Sequence, residues 1–180
     1  MKSNVKVLLS GVKPTGDLHI GNYFGAIRQF VALQDAAETP YYMVADYHAL
    51  NSVQDAKKMS AGIIEIARAY LALGLDPKRA IIFKQSDVPE HTELAWIFDT
   101  ITTMPFLMRA HAFKDAEAKN KEIVVGTFNY PMLMAADILL YDTDVVPVGQ
   151  DQKQHVEIAR DTAEKFNRVY GEGLKLPEAY

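Results

Sequence analysis

The chain contains no cysteine, which excludes a disulfide-stapled scaffold and any thiolate-ligated zinc or iron–sulfur centre. No apolar run approaches the ~18 residues that a membrane-spanning helix needs. Met1-Lys2-Ser3-Asn4 leads into a strand-like segment instead of the apolar stretch of a signal peptide. These absences make the cytoplasm the expected address, with no membrane partner expected. Repeats and low-complexity segments are also missing. Neither sign of charge dominates: 19 Lys and Arg stand against 23 Asp and Glu, a net charge of -4. That excludes a domain that coats nucleic acid with basic surface, although not an enzyme that meets nucleic acid through one local patch. The 5 histidines include no pair at H-x-x-x-H spacing, so no protein-built zinc site is expected. What remains is an ordinary globular mix of 180 residues, 49% hydrophobic and 23% charged. A chain of this size buries roughly 70% of its unfolded surface, enough for one core.

The hydrophobic pattern alternates between two periods. Val5-Lys6-Val7-Leu8-Leu9 reads as a strand, ended by Ser10-Gly11 and the Pro14-Thr15-Gly16 turn. From about Leu18 the period becomes helical, through Ile20, Tyr23, Phe24, Ile27 and Val31. Tyr41-Tyr42-Met43-Val44 is a second strand. Asp55 to Leu73 is a helix with Ile63, Ile64, Ala67, Tyr70 and Leu71 inward, closed by Gly74 and Pro77. Ala80-Ile81-Ile82-Phe83 is a third strand, and a helix bearing Leu94, Ile97 and Phe98 begins near Pro89. Residues 108–127 form a polar, alanine-rich connection with a weak helix around Phe113. Tyr130 to Tyr141 is a strongly apolar helix, Asp144 to Gly149 a fourth strand, and Gln152 to Tyr170 a final amphipathic helix. Strands alternating with helices predict an α/β fold with a parallel sheet flanked by helices. Ligands in such a fold lie beyond the carboxyl ends of the strands. Those ends are Ser10-Gly11, Asp46-Tyr47-His48, Gln85-Ser86 and Gly149-Gln150-Asp151, all polar or glycine-rich.

The sharpest local signal runs from Gly11 to Asn22, where a strand, a Pro-Thr-Gly turn and a histidine in the first turn of a helix follow one another. Free N–H groups and the helix dipole make such a place an anion site, to which His19 adds a donor. Gly21 leaves room for a flat ligand against the backbone. The plainer alternative is a helix start with an incidental histidine and a packing glycine.

The Tyr130–Tyr141 helix carries one charge, Asp137. Tyr130 and Asp137 are seven residues apart, within about 20° of one face and roughly 10 Å apart along the axis, with Met134 between them. A carboxylate on an apolar face is costly to bury unless something donates to it. A flat apolar ligand with a single N–H would do so. The alternatives are a bridge to a lysine, a capping role, or exposure to water. Gly149 permits close approach of a ribose, Asp151 can accept from its hydroxyls, and Gln152 can both donate and accept. The alternative there is a helix N-terminus capped by Asp151.

Pro14-Thr15-Gly16-Asp17-Leu18-His19-Ile20-Gly21-Asn22-Tyr23 resembles the His-Ile-Gly-His signature of class I aminoacyl-tRNA synthetases. Its Asn22 form, followed by Tyr23-Phe24-Gly25-Ala26, is similar to the tryptophanyl members. The same resemblance extends through Asp46-Tyr47-His48-Ala49, Phe83 to Pro89, Tyr130 to Asp137 and Val146 to His155, in the family's order. It implies a Rossmann-like nucleotide-binding fold that activates L-tryptophan with ATP and passes it to tRNA(Trp). Magnesium would arrive with the ATP, and a homodimer is implied. By this resemblance Lys13, Pro14, Thr15, Gly16, His19, Gly21, Asn22, Gly149, Gln150 and Asp151 meet ATP. Leu9, His48, Tyr130, Met134, Asp137, Val148 and Gln152 meet tryptophan, with His48 facing its carboxylate and Asp137 its indole N–H. Catalysis falls to His19, Lys13 and Asn22.

Two departures from the family pattern stand out. Lys13 replaces a glutamine common in bacterial relatives. The Lys-Met-Ser-Lys-Ser loop and the anticodon-binding domain do not occur before Tyr180, so residues 1–180 are expected to be the amino-terminal catalytic portion. Lys58-Met59-Ser60 is a decoy inside a helix, followed by Ala61-Gly62. Alternative readings are a tyrosyl relative, a nucleotidyltransferase with a similar His-x-Gly turn, or a module that binds tryptophan or ATP without turnover. Of the remaining residues, His91 is expected at the surface or an interface, and Trp96 in the core or a dimer interface. His111, Lys114 and Lys119 are expected on a solvated face.

Overall fold

The computed structural model describes residues 5–16, 18–118, 123–149 and 153–180. Among them, strands β1 (Val7–Val12), β2 (Thr39–Val44), β3 (Ile81–Lys84), β4 (Val145–Val146) and β5 (Glu178–Ala179) form one parallel sheet in the order β3-β2-β1-β4-β5. The order reverses between β1 and β4, so the chain diverges there and opens a crevice at the carboxyl ends. The expected α/β class and parallel sheet are borne out.

Strand alternation divides the core into two layers. Leu8, Tyr42 and Val44 pack on one face with Ile27, Phe30, Ile66 and Tyr70. Leu9 packs on the other with Phe98, Met132, Ala136, Ile138 and Val156. The first face is covered by α2 (Arg28–Leu33) and α4 (Ala56–Ala72), the second by α5 (Glu90–Ile101), α8 (Val125–Leu139) and α9 (Lys153–Tyr170). Buried hydroxyls lock the first face, with Tyr42 Oη donating to Phe30 O at 2.8 Å and Tyr70 Oη to Met43 O at 3.0 Å.

Helix α4 ends as expected at Gly74, whose φ of 110° suits a residue without Cβ. Gly74 N donates to Leu71 O and Leu75 N to Tyr70 O, the paired bonds of a Schellman stop. Its inward face is narrower than the sequence pattern suggests. Ile66 and Tyr70 are buried, whereas Ile64 and Leu71 are about half exposed. They stand one residue, roughly 100° of rotation, beyond the Ile63–Ile66–Tyr70 stripe. Lys58-Met59-Ser60 lies within α4, as expected for a decoy.

Other expectations are corrected. The helix after the first loop opens as α1 (Ile20–Asn22) and widens into a π-helical turn over Tyr23–Ile27 before α2. The wider turn re-phases the face, so Ile20 and Phe24 point outward while Ile27 and Phe30 are buried. Helix α8 starts at Val125, five residues before the expected Tyr130, and holds Pro131 in its interior. Contacts to its first turns override the proline rule: Asn129 Nδ2 donates to Asp99 at 2.7 Å, and Phe128 packs edge-to-face on Phe113. Phe113 belongs to α7 (His111–Ala118), the weak helix expected there, which follows the short α6 (Met104–Leu107). Strand β4 is two residues long because Pro147 has no N–H to continue the ladder. Strand β5, exposed along its length, had no apolar alternation to reveal it. Trp96 is 70% exposed on α5, outside the core. Lys114 is exposed as expected; Lys119 lies outside the described residues, as does the side chain of His111.

Asp144 closes the sheet. Its Oδ2 accepts from Lys6 N at 3.0 Å and Val7 N at 2.8 Å, and its Oδ1 pairs with Lys175. Partial burial pushes its carboxyl up, but Lys175 and the two amides outweigh this and hold it below the ordinary carboxylate range. Asp144→Ala is expected to lower the unfolding free energy at neutral pH by about 1–3 kcal/mol, read by urea denaturation. A depressed carboxyl contributes stability above its unfolded value, about 3.9, and loses it as the pH falls towards the folded value. The gap between wild type and variant should therefore stay constant above about pH 5 and shrink below about pH 4.

Candidate functional site

The crevice at the carboxyl ends of β1 and β4 holds a cavity of about 420 Å³. Leu9, Lys13, Asn22, His48, Tyr130, Met134, Asp137, Val148 and Gly149, all expected site residues, line it together. Met134 sits one turn from Asp137 and one from Tyr130 on α8, so the single face inferred from their spacing is the face that forms the floor. Gln150, Asp151 and Gln152 lie outside the described residues.

Asp137 is 2% exposed, and its donors come from inside the protein. His48 Nε2 lies 2.9 Å from Oδ2, and Gln85 Nε2 donates to Oδ1 at 2.8 Å. His91 Nδ1 approaches Oδ1 at 2.7 Å, off the line of its own N–H. The expected alternatives of a lysine bridge, a cap or exposure to water are thus all replaced by a buried cluster. Burial pushes the Asp137 carboxyl up, but donation from His48 and His91 outweighs it and leaves the group below the ordinary carboxylate range.

Local structure fixes these donors. His48 stands on α3 (Asp46–Ala49), directly after β2, and Gln85 in the single 3₁₀ turn (Gln85–Asp87) directly after β3. Gln85 Oε1 accepts from Tyr47 N at 3.0 Å and His48 N at 3.4 Å, which leaves its amide nitrogen aimed at Asp137. Asp46 ties the same two turns from beneath, accepting from Ser86 N at 2.9 Å and Ser86 Oγ at 2.6 Å. Tyr130 Oη lies 2.5 Å from Nε2 of His155, which is itself buried on α9.

Sequence reasoning named Gln85 only as a strand end and placed His91 at a surface. His91 is 0% exposed, because the packing of α5 on α8 turns its first helical turn towards Asp137. No local pattern could reveal this, since the partners are 46 to 52 positions apart in the chain. Gln29 also lines the cavity and was missed; its position in a helical stretch gave no signal.

The first loop divides around the helix start. Lys13 and Asn22 face the cavity, whereas His19 borders a separate hollow of about 620 Å³ between α1 and α4. Pro14 is buried, and its carbonyl lies where a side chain on Gly62 of α4 would project; Thr15 and Gly16 are exposed and line neither hollow. His19 Nδ1 accepts from Gly21 N at 3.1 Å, and Asn22 Oδ1 accepts from His19 N at 3.0 Å, a reciprocal cap. Since Nδ1 accepts, the neutral ring carries its proton on Nε2 and presents that donor outward. The Gly21 and Asn22 amides are committed to His19, so less of the helix start is free for an anion than the sequence implied. The missing Cβ of Gly21 makes room for the His19 ring: one built there would stand 2.9 Å from Cε1 and Nδ1. Gly21→Ala is expected to swing the ring away and weaken the helix start by about 1 kcal/mol. Nitrogen NMR of His19 checks it: the Nε2–H signature should give way to mixed tautomers, and an unchanged spectrum would contradict the cap.

The family described as tRNA synthetases class I (W and Y) matches residues 1–179. A tryptophan–tRNA ligase of Fusobacterium nucleatum is 54% identical over 175 residues, covering 97% of this chain and 54% of the relative. The crystal structure of tryptophanyl-tRNA synthetase from Campylobacter jejuni complexed with ADP and tryptophan is 51% identical, with a TM-score of 0.90. The match covers 97% of this chain and 54% of that one. A tyrosyl-tRNA synthetase from Archaeoglobus fulgidus, complexed with L-tyrosine, shares the fold with a TM-score of 0.77 at 23% identity, covering 96% of this chain and 54% of that one. The chain spans about half the length of the curated relatives it matches.

Proposed function

This chain belongs to the class I tRNA synthetases of the tryptophan and tyrosine group, and we propose that it is the half of a tryptophan–tRNA ligase that holds ATP and L-tryptophan. The observation that carries the choice is Asp137, a buried carboxylate on the floor of a pocket whose walls include Leu9, Met134 and Val148. It matches a ligand with one N–H on a flat apolar body. The tyrosine side chain places its polar atom elsewhere, and phenylalanine has none, so neither supplies the further donor that the carboxylate can still accept. The 54% identity to a tryptophan–tRNA ligase supports the same branch.

In this reading Leu9, Met134 and Val148 form the apolar walls around the indole, and Tyr130 with Gln152 receives the ammonium group. His48 Nε2–H is given to Asp137, which leaves Nδ1 as an acceptor in the neutral ring. His48 therefore holds Asp137 and does not donate to the substrate carboxylate. Lys13, Asn22 and Gly149, at the β1 and β4 ends, face the phosphates and ribose of ATP, together with Gln150 and Asp151. His19 stands at the helix start beside the neighbouring hollow and offers its Nε2–H to phosphate that extends past Lys13 and Asn22, with Pro14, Thr15, Gly16 and Gly21 shaping the loop that presents it. Magnesium rides on the phosphates; among the described residues no group of three or more His, Cys, Asp or Glu gathers that could hold a metal ion.

The reaction is an in-line displacement. A carboxylate oxygen of tryptophan forms a bond to the α-phosphorus as the bond to the bridging oxygen of pyrophosphate breaks. The carboxylate is already ionised at neutral pH, so no general base is required. The work of the protein is positioning and stabilisation of phosphoryl charge, which falls to Lys13, His19 and Asn22. The tryptophanyl group then passes to tRNA(Trp). The lysine loop and anticodon-binding domain belong to the half of such ligases that these residues do not cover.

Among the described residues no helix is long and apolar enough to cross a membrane, and we place the protein in the cytoplasm. The exposed Trp96, Met104 and Val125 support pairing with a second copy. Calorimetric titration with L-tryptophan, L-tyrosine and a non-hydrolysable tryptophanyl-adenylate analogue tests the function. Tryptophan and the analogue should bind, and tyrosine should not. Asp137→Ala should weaken tryptophan by about 10- to 100-fold, the worth of a buried bond to a charged acceptor. Equal binding of tyrosine, or full affinity in the variant, would refute the assignment.

A further inference from the structure

His91 takes no part in the proposed reaction, lines neither of the two hollows described above, and is yet 0% exposed against the specificity carboxylate. We propose that His91 is a positioning residue that sets the rotation of the Asp137 carboxylate, with Tyr141 setting His91 in turn. The inference rests on the reading of Asp137 as the group that recognises the N–H of the amino acid.

The proton arrangement follows from the partners. Asp137, held ionised, can only accept, so His91 Nδ1 carries the proton towards Oδ1 at 2.7 Å. In the neutral ring Nε2 is then the acceptor, and Tyr141 Oη lies 2.9 Å from it. Burial, with the nearby Asp137 charge, pushes the Tyr141 hydroxyl well above its ordinary value, so that group stays protonated and donates. Tyr141 therefore donates to His91, whose own N–H is turned towards Asp137 Oδ1 at 2.7 Å, off the line of a full hydrogen bond. The ring has little freedom to leave this arrangement, because Phe83 lies parallel to it at 6.2 Å and Tyr141 flanks it at 5.5 Å.

Two donors thus meet Oδ1 from behind, Gln85 in line and His91 off line. Gln85 supplies the directed bond. His91 presents a second N–H to Oδ1, close at 2.7 Å but off its line, so rotation of the carboxylate away from the cavity would take from that buried N–H the acceptor nearest it. With Oδ1 pinned, Oδ2 is the oxygen left for His48 and for a ligand N–H arriving from the cavity. Discrimination for an N–H over an isostere without one depends on that orientation.

The test uses the whole chain and two probes, L-tryptophan and its benzothienyl isostere, in which sulfur replaces the indole N–H. Wild type should prefer tryptophan by about tenfold or more. His91→Phe, which keeps the ring and loses both nitrogens, should cut that ratio at least about fivefold, chiefly by weakening tryptophan. His91→Asn, which returns an N–H near the Nδ1 position, should restore most of it; a purely space-filling role would show the reverse order. A wild-type ratio in folded His91→Phe overturns the proposal while leaving the reading of Asp137 intact. Equal binding of both probes by wild type overturns both. Should His91→Phe fail to fold, Tyr141→Phe carries the same test by removing one hydroxyl: a reduced ratio supports the proposal, and an unchanged ratio overturns it.

Discussion

A carboxylate removed from water is tolerable only when donors replace the water, and Asp137 imposes that demand on the structure around it. Three elements answer it: α3 with His48, the turn after β3 with Gln85, and α5 with His91. The first two are joined to each other as well, through Gln85 to the Tyr47 and His48 amides and through Asp46 to Ser86. One buried charge thereby ties the carboxyl ends of β2 and β3 to α8. A floor held from so many directions presents its acceptor in a fixed orientation, which is what recognition of a single N–H requires.

Sheet order decides where this floor meets the rest of the site. Because β1 lies between β2 and β4, its carboxyl end opens on a crevice with Leu9 and Val148 as walls and Lys13 at the mouth. The cavity therefore has two chemistries. Its depth is apolar with one buried anion, and its mouth carries a cation, an amide and a glycine. An amino acid with a flat side chain and a nucleotide phosphate would lie in these two regions with their reacting groups between them. The His19 cap stands beside this arrangement, on the far side of the helix start, with one imidazole donor turned outward.

Much of this was legible in the sequence wherever the signal was local. The alternation of strands and helices, the Gly74 stop and the face shared by Tyr130, Met134 and Asp137 all follow from short-range periodicity. The donors to Asp137 were not legible. His91 sits in a first helical turn next to Pro89 and Glu90, the surroundings of a surface residue, and only the packing of α5 on α8 buries it. Two prolines fall where the expected bounds fail: Pro131 lies inside α8, which begins five residues before the expected Tyr130, whereas Pro147 ended a strand expected to run on. Contacts of its first turns, invisible to a pattern along the chain, carry α8 through Pro131, whereas Pro147 stops β4 locally because it has no N–H for the ladder. Ile20 and Phe24 share the helical period of Ile27 in the sequence, but the π-helical turn re-phases that face and leaves both exposed.

The central claim is that Asp137 stays ionised in its buried position because protein donors surround it. Carbon NMR of its side-chain carboxyl against pH, on the chain with no ligand added, measures this directly. The account predicts a carboxylate signal that holds steady from neutral pH down past the ordinary aspartate value of about 3.9. A signal already shifted to the protonated form near neutral pH, or titrating above that value, would contradict it.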